Sequence, residues 1–227
     1  MTRIMSWRPM LSRIRSRVRD LVIAVSAVAT LGGASAQLRA QEVRLLAIRD
    51  DATRTMVREF VEAARLRGTP VEPLVSRALE GVAFKASPRR IEEAMVALEK
   101  RIARSRELLA PRASVDELAA AADALANGVP AGAIRDLRKT APNRSITVEI
   151  GVLTELVAKG VAPGKAGAMV RALMARGATG TQLTELNAAV QQDVAFGVAP
   201  IAALELRGRG VMSLLPPSAV VNAATRP

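Results

Sequence analysis

The sequence predicts an all-α protein, an array or irregular bundle of about eight helices built from short helical hairpins and preceded by a signal peptide. Three observations lead to this prediction. Apolar residues recur at helical spacing, glycine and proline separate these stretches at short intervals, and residues 1–36 have the form of an export signal. We therefore expect a signal peptide at 1–36, a helical segment at 37–68, a helical-hairpin domain at 69–210 and a flexible tail at 211–227.

The first 36 residues combine a basic leader, an apolar core and a small-residue cleavage pattern. Six arginines, the last of them Arg19, precede the uncharged stretch Leu21–Leu31, and Ala34-Ser35-Ala36 follows two glycines. Eleven apolar residues span about 16 Å as a helix, whereas a bilayer core is about 30 Å thick. This pattern predicts Sec-type export to the periplasm or outside, with cleavage after Ala36 and no permanent membrane span. An uncleaved inner-membrane signal anchor is the alternative.

The composition excludes several kinds of chemistry. The chain has no cysteine and no histidine, which removes thiolate catalysis, cysteine–metal sites and every Ser–His or Cys–His pair. Aromatic residues make up 2% of the chain, so stacking on nucleic-acid bases is not expected, and nucleic acid is not a predicted partner. We predict no catalytic residue, no cofactor and no metal ligand.

Two helices are predicted before residue 84. Apolar residues from Met56 to Ala64 repeat at helical spacing, Asp51 is placed to cap this helix and Gly68 to end it. Thr69-Pro70-Val71-Glu72 then has the form of a capping box and opens a short helix that should stop at Gly81.

The clearest single helix is predicted from Pro88 to Ala110, with Ser87 as its cap. Its apolar residues recur at spacings of four, three, four and seven, which places on one face Ile91, Met95, Leu98, Ile102 and Leu109. The opposite side carries a local excess of basic residues. If the protein has a binding surface, we predict it on this basic face, at Arg89, Arg90, Lys100, Arg101 and Arg104.

Glycine and proline then mark the remaining helices. Ser114 and Glu117 form a second capping box, and the helix that follows should end at Asn127-Gly128. A short helix is expected after Pro130. Residues 146–159 indicate a helix with a β-branched start that also fits a strand. Further helices should begin near Pro163, Thr179 and Pro200, the last fading at Gly208 and Gly210.

One link recurs along this region. Glycine, valine and a nearby proline occur as Gly128-Val129-Pro130, as Gly160 to Pro163 and as Gly197 to Pro200. A glycine that ends one helix and a proline that starts the next force two helices to pack as neighbours. With LVSRALEGVAFKASPRRIEEAMVALEKR and DELAAAADALANGVP, these links resemble an uncharacterised family of exported bacterial helical proteins. The resemblance covers about Pro70 to Pro200 and implies export and helicity, but no activity.

Three other patterns in the sequence are compared with known kinds of site. GVAPGKA around Lys165 lacks the spacing and the Ser or Thr of a phosphate loop. Glu149 and Glu155 are the carboxylates nearest apolar helix faces, and a glycan-cleaving envelope enzyme is the remote alternative that they represent. Asp50-Asp51 lacks the further oxygen ligands of a calcium loop, and Asp51 fits a helix cap better than a metal site.

The function predicted from sequence is that of an exported non-catalytic binding protein. Its partner would be an envelope protein or an anionic envelope surface, because the residues after Ala36 keep an excess of basic side chains. A structural or adaptor role in binding another protein is the alternative. The sequence leaves the oligomeric state open.

Overall fold

A computed structural model describes residues 43–216, and its regular secondary structure there is helical throughout, without a strand. The prediction of an all-α fold is thereby confirmed. The chain divides into a unit of residues 1–44 and a compact unit that begins at Leu45. The predicted signal peptide, the cleavage after Ala36 and most of the predicted tail lie outside the described residues.

Nine helices lie between residues 51 and 214. They are α1 (Asp51–Leu66), α2 (Glu72–Ala83), α3 (Pro88–Leu108), α4 (Val115–Ala126), α5 (Ala131–Thr140), α6 (Thr147–Ala158), α7 (Pro163–Ala175), α8 (Gly180–Ala195) and α9 (Pro200–Leu214). Within these residues, no helix is both long enough and apolar enough to cross a bilayer.

Most of the predicted helix ends are confirmed. Ser114 and Glu117 make both bonds of the capping box at the start of α4, and Thr179 and Gln182 make those at the start of α8. Helices α1, α4, α6, α7 and α8 are each followed by a glycine in the left-handed region, such as Gly160 with φ +94°. That conformation is available to glycine without strain, and it turns the chain sharply into the next helix.

Two predicted caps are wrong. Asp50, and not Asp51, caps α1, because its carboxylate accepts the backbone N–H of Thr53 at 2.8 Å. The capping box predicted at Thr69 does not form, since α2 starts at Glu72 after an N-cap at Val71 that makes no side-chain bond. The hydroxyl of Thr69 instead donates to Glu99 of α3, at 3.2 Å.

Four helix boundaries also differ from the prediction. Helix α3 ends at Leu108, two residues before the predicted Ala110. Residues 147–158 are helical from the start, so the strand alternative for residues 146–159 is wrong. Helix α2 continues beyond Gly81 to Ala83. Helix α9 continues to Leu214, because Gly208 packs closely against Met169 and the partly buried Val211 packs on the core. Residues 211–214 thus belong to a helix and not to a tail.

The recurring links join the two helices of three hairpins, α4–α5, α6–α7 and α8–α9. Each hairpin packs on the next. Helices α4, α6 and α8 pack in sequence and form what we term the first-helix row, while α5, α7 and α9 do the same and form the second-helix row. This order of contacts is that of stacked hairpins and favours the array over the irregular bundle. Helix α3 packs between α2 and α4 and joins α1 and α2 to the array.

The core follows the predicted apolar faces. The five residues assigned to the buried face of α3, from Ile91 to Leu109, are all buried. Helix α6 lies in the middle of the array and contacts α4, α7 and α8, so apolar side chains cover it on several sides, among them Ile150, Leu153 and Leu156. Helices buried on several sides lose the clear amphipathic pattern of surface helices, which explains the ambiguity of this stretch in the sequence.

Candidate functional site

The five basic residues predicted as a binding surface all lie on α3, but they do not form one cluster. Arg89, Lys100 and Arg104 are exposed and spaced so that they share the solvent-facing side of the helix. Arg90 is also exposed. Arg101 is partly buried, on the side of the helix that turns toward α2 and α4.

Carboxylates of the same helix accompany the exposed cations. The Nε atom of Arg89 lies 2.9 Å from Oε1 of Glu93, one helical turn away, and Arg104 forms an ion pair with Glu107. Lys100 lines a shallow depression together with Glu93 and a second glutamate, Glu92. This face therefore alternates positive and negative charge, and the net positive charge that it offers to an anionic partner is small.

Arg101 has a different environment. Burial lowers the pKa of its guanidinium, the nearby charge of Arg77 lowers it further, and Asp123 of α4 partly opposes both effects. Its buried Nε atom has no hydrogen-bond partner among the described residues. Arg101 of α3 thus lies near α2 and α4, where its charge affects the packing of these helices and is only partly available to a binding partner.

The two carboxylates considered for glycan cleavage are held in separate structural contacts. Glu149, at the start of α6, is 2% exposed and forms an ion pair with Arg144. Glu155 accepts hydrogen bonds from two side chains of α8, Asn187 and, at 3.0 Å, Gln191. The two glutamates lie six residues apart in one helix and point to different sides of it. The structure therefore does not bring them together as a carboxylate pair.

A buried polar junction that the sequence did not predict lies where α4, α5 and α6 meet. Glu117 is 4% exposed, and its carboxylate accepts the backbone N–H groups of Ser114 and Ile146, each at 2.9 Å. The same carboxylate pairs with the guanidinium of Arg138. Glu117 thus both caps α4 and fixes the residue at which the chain enters α6.

Arg138 completes this junction from the end of α5. It is 7% exposed, and its Nη1 atom donates to the carbonyl oxygens of Ala141 at 3.1 Å and of Arg144 at 2.9 Å. Those carbonyls belong to the loop between the first and second hairpins. The pair between Arg138 and Glu117 therefore stabilises the loop that connects the first hairpin to the second.

The electrostatics of the junction favour the charged form of Glu117. Burial by itself raises the pKa of this carboxyl. The N–H groups of Ser114 and Ile146 and the guanidinium of Arg138 together outweigh burial, and they hold the pKa below its ordinary value of 4.5. The carboxylate therefore stays ionised in the folded protein at neutral pH.

Charge is divided between the two rows of the array. The first-helix row has seven acidic residues and neither lysine nor arginine, namely Asp116, Glu117, Asp123, Glu149, Glu155, Glu185 and Asp193. The second-helix row has seven basic residues, Arg135, Arg138, Lys139, Lys165, Arg171, Arg207 and Arg209, and two acidic ones, Asp136 and Glu205. Charge counted separately on the two sides of each glycine link would have found this division in the sequence.

The remaining sequence candidates have ordinary positions. Lys165 is exposed in the first turn of α7, and Asp51 forms an ion pair with Arg54. Among residues 43–216, no group of three or more acidic side chains is arranged to hold a metal ion.

Comparison with known proteins adds no relative. No protein family, no curated protein and no solved structure matches this chain.

Proposed function

We propose that this chain is exported and acts in the bacterial envelope as a non-catalytic binding protein, without a cofactor. The observation that carries the proposal is the stack of three hairpins whose two rows bear opposite charge. Stacked helical hairpins present broad continuous surfaces, and proteins with this architecture use such surfaces to bind other molecules. The leader sequence supports export, and the resemblance to exported helical proteins agrees with it.

A protein partner is the second candidate, and one feature favours it. Phe196, Val198 and Ile201 are exposed together at the third link, with Phe196 80% exposed. Equivalent link valines of the first two hairpins, Val129 and Val161, are buried. Exposed apolar residues that lie close together are typical of protein contacts. In this alternative the array is an adaptor whose last hairpin holds another envelope protein.

Export is tested by fractionating the cells that make the protein and measuring its intact mass. We expect to find the protein outside the cytosol, with the mass of a chain that begins at Gln37. A full-length chain in the membrane fraction would support the signal-anchor alternative. A full-length chain that stays in the cytosol would overturn the proposal.

The kind of binding is tested by crosslinking in intact cells, followed by purification at low and at high salt. Because salt screens charge and not apolar contact, association with an anionic surface should be lost at high salt. A protein partner that survives high salt, and that Phe196→Ser releases, would favour the adaptor. Absence of any crosslinked envelope component under both conditions would contradict both forms of the proposal.

A further inference from the structure

The outer side of the second-helix row carries most of the exposed positive charge of the array. Its exposed cations are Arg135 and Lys139 of α5, Lys165 and Arg171 of α7, and Arg209 of α9. Arg207 of α9 is exposed as well, but it forms an ion pair with Asp193 of the first-helix row. Two carboxylates, Asp136 and Glu205, lie among them. We call this surface the second-row basic face. Arg135 and Lys139 lie four residues apart and share one side of α5. Lys165 and Arg171 lie six residues apart and flank the exposed side of α7, with the exposed Ala168 midway between them.

One carboxylate is shared between two of these cations. Asp136 Oδ1 lies 3.8 Å from Nζ of Lys139, and Asp136 Oδ2 lies 3.5 Å from Nη1 of Arg171 on the neighbouring helix. One negative charge between two positive ones leaves an excess of positive charge at the contact of α5 with α7. Arg135 and Lys165 form no ion pair with any other described residue. Arg135 and Lys165 therefore keep unpaired positive charge on the second-row basic face. On α3, Arg89 and Arg104 are paired within the helix, whereas the exposed Arg90 has no ion pair among the described residues.

The face also has low relief. On α5 and α7, the exposed residues near its cations are small, namely Gly132, Gly164, Ala168 and Ala175. On α9, Leu206 is 57% exposed, three residues from Arg209. No large apolar side chain is exposed on α5 or α7. Neighbouring packed helices lie about 8–10 Å apart, so three of them make a surface about 20 Å across. Such a surface allows many cations to reach one plane at once, and it offers no deep groove for a single extended polymer.

We propose that the second-row basic face docks on the surface of a bilayer that contains anionic lipid head groups. The proposal deepens the function proposed above and depends on it. The small residues and separated cations of α5 and α7 match a plane of phosphates, and the absence of exposed large apolar residues from these two helices keeps them in the head-group layer. The acidic first-helix row lies on the other side of the hairpins, where repulsion by the same lipids fixes the orientation of the array.

The proposal is tested by sedimentation with vesicles, using protein purified from the cells that make it. The vesicles contain phosphatidylcholine alone or with phosphatidylglycerol. One variant removes three cations of the second-row basic face, by Arg135→Gln, Lys165→Gln and Arg171→Gln. A matched control removes two arginines and one lysine at exposed positions elsewhere, by Arg58→Gln, Lys85→Gln and Arg112→Gln. A third variant carries the changes Arg89→Gln, Lys100→Gln and Arg104→Gln on α3.

We expect the unchanged protein to bind the anionic vesicles at low salt and not the neutral ones. Each cation near an anionic surface strengthens binding about fivefold, so the second-row variant should bind about 100-fold more weakly. The control and the α3 variant should change binding far less. Circular dichroism of all variants checks that these exposed substitutions leave the fold intact.

Three results would overturn the proposal. Equal loss in all variants would mean that net charge alone drives binding. Loss confined to the α3 variant would place the surface on α3. Binding of the unchanged protein to soluble polyphosphate, without binding to vesicles, would identify an anionic polymer as the partner. The proposed function fails separately, when crosslinking in cells finds no envelope component.

Discussion

The junction around Glu117 and the outer face of α3 both contain glutamate–arginine pairs, but the pairs differ in almost every physical respect. Glu117 and Arg138 are buried and lie 21 residues apart in the chain. Glu117 accepts backbone N–H groups from the loop before α4 and from the loop before α6, and Arg138 donates to backbone carbonyls of the latter loop. Arg89 and Glu93 are exposed and lie one turn apart. Breaking a buried pair leaves an uncompensated charge in the interior, whereas breaking an exposed pair returns two groups to water.

This difference shows which charges hold the array together. At the junction, one carboxylate and one guanidinium satisfy the backbone at the turn between the first and second hairpins. On the outer face of α3, the pairs Arg89–Glu93 and Arg104–Glu107 each stay within the helix. The same two residue types therefore connect helices at the junction around Glu117, whereas on the outer face of α3 they form only local surface pairs.

The largest expected effect comes from Arg138→Met. Removal of the guanidinium leaves the buried Glu117 carboxylate without its counter-charge, and we expect the free energy of unfolding to fall by about 3–5 kcal/mol. Urea unfolding followed by circular dichroism measures the change. The double variant Glu117→Leu, Arg138→Met should recover part of the loss, because it removes both charges. An unchanged urea midpoint for Arg138→Met would contradict the role given to this pair.

The junction should also make stability depend on pH. The pKa of Glu117 is lowered in the folded state, so its ionised form contributes stability above the ordinary pKa of 4.5, and that contribution is lost as pH falls through the folded value. We therefore expect the stability advantage of the unchanged protein over Glu117→Gln to be present at pH 7 and to shrink as the pH falls below 4.5. Urea midpoints at several pH values measure it. A constant difference from pH 7 to pH 3 would contradict the assignment.

An intermediate effect is expected for Glu99→Gln. Glu99 of α3 pairs with Arg67 through two hydrogen bonds of 2.8 and 2.9 Å and also accepts the hydroxyl of Thr69. This contact joins α3 to the loop after α1, but its arginine is exposed to solvent, which weakens the pair. The urea midpoint should fall by less than for Arg138→Met and by more than for Arg89→Gln. Any other order among the three variants would contradict this ranking by burial.

The smallest effect is expected for Arg89→Gln. Exposed pairs one turn apart in a helix contribute about 0.3–0.5 kcal/mol, and salt screens them. The change in unfolding free energy should therefore stay within this range at low salt and vanish in 0.5 M NaCl. A loss above 1 kcal/mol, or one that persists in high salt, would show that the α3 face has a structural role like that of the junction.

The sequence was most informative where contacts are local. The capping box at Ser114, the start of α8 near Thr179 and the buried face of α3 could be predicted because the residues that define each lie within a few turns along the chain. Asp50 and Asp51 are adjacent in the chain, and the sequence alone does not show which of them caps α1. In the structure, the hydrogen bond from the N–H of Thr53 identifies Asp50 as the cap.

Contacts between distant residues could not be predicted in the same way. Glu117 was identified as part of a capping box, but nothing local shows that its second oxygen binds the N–H of Ile146, 29 residues later. Gly208 was interpreted as the end of a helix, whereas it is a point of close packing against Met169. The predicted α3 surface follows from a local excess of basic over acidic residues. The sequence does not show that Arg101 lies partly buried between helices, because its neighbours Arg77 and Asp123 are distant in the chain.

The exposure of the third link, Gly197 to Pro200, bears on how further hairpins can be added to this array during evolution. Val129 and Val161 are covered, whereas Val198 is 39% exposed at the same point of the last hairpin. Duplication of the stretch between two successive glycine links would supply one more helix pair in the right register to cover Val198 and leave a new valine exposed in its place. Evolution could therefore lengthen or shorten this molecule by whole units without redesigning its interior, and relatives that differ in length by about 32 to 37 residues, the observed spacings of these glycines, would carry the trace of that process.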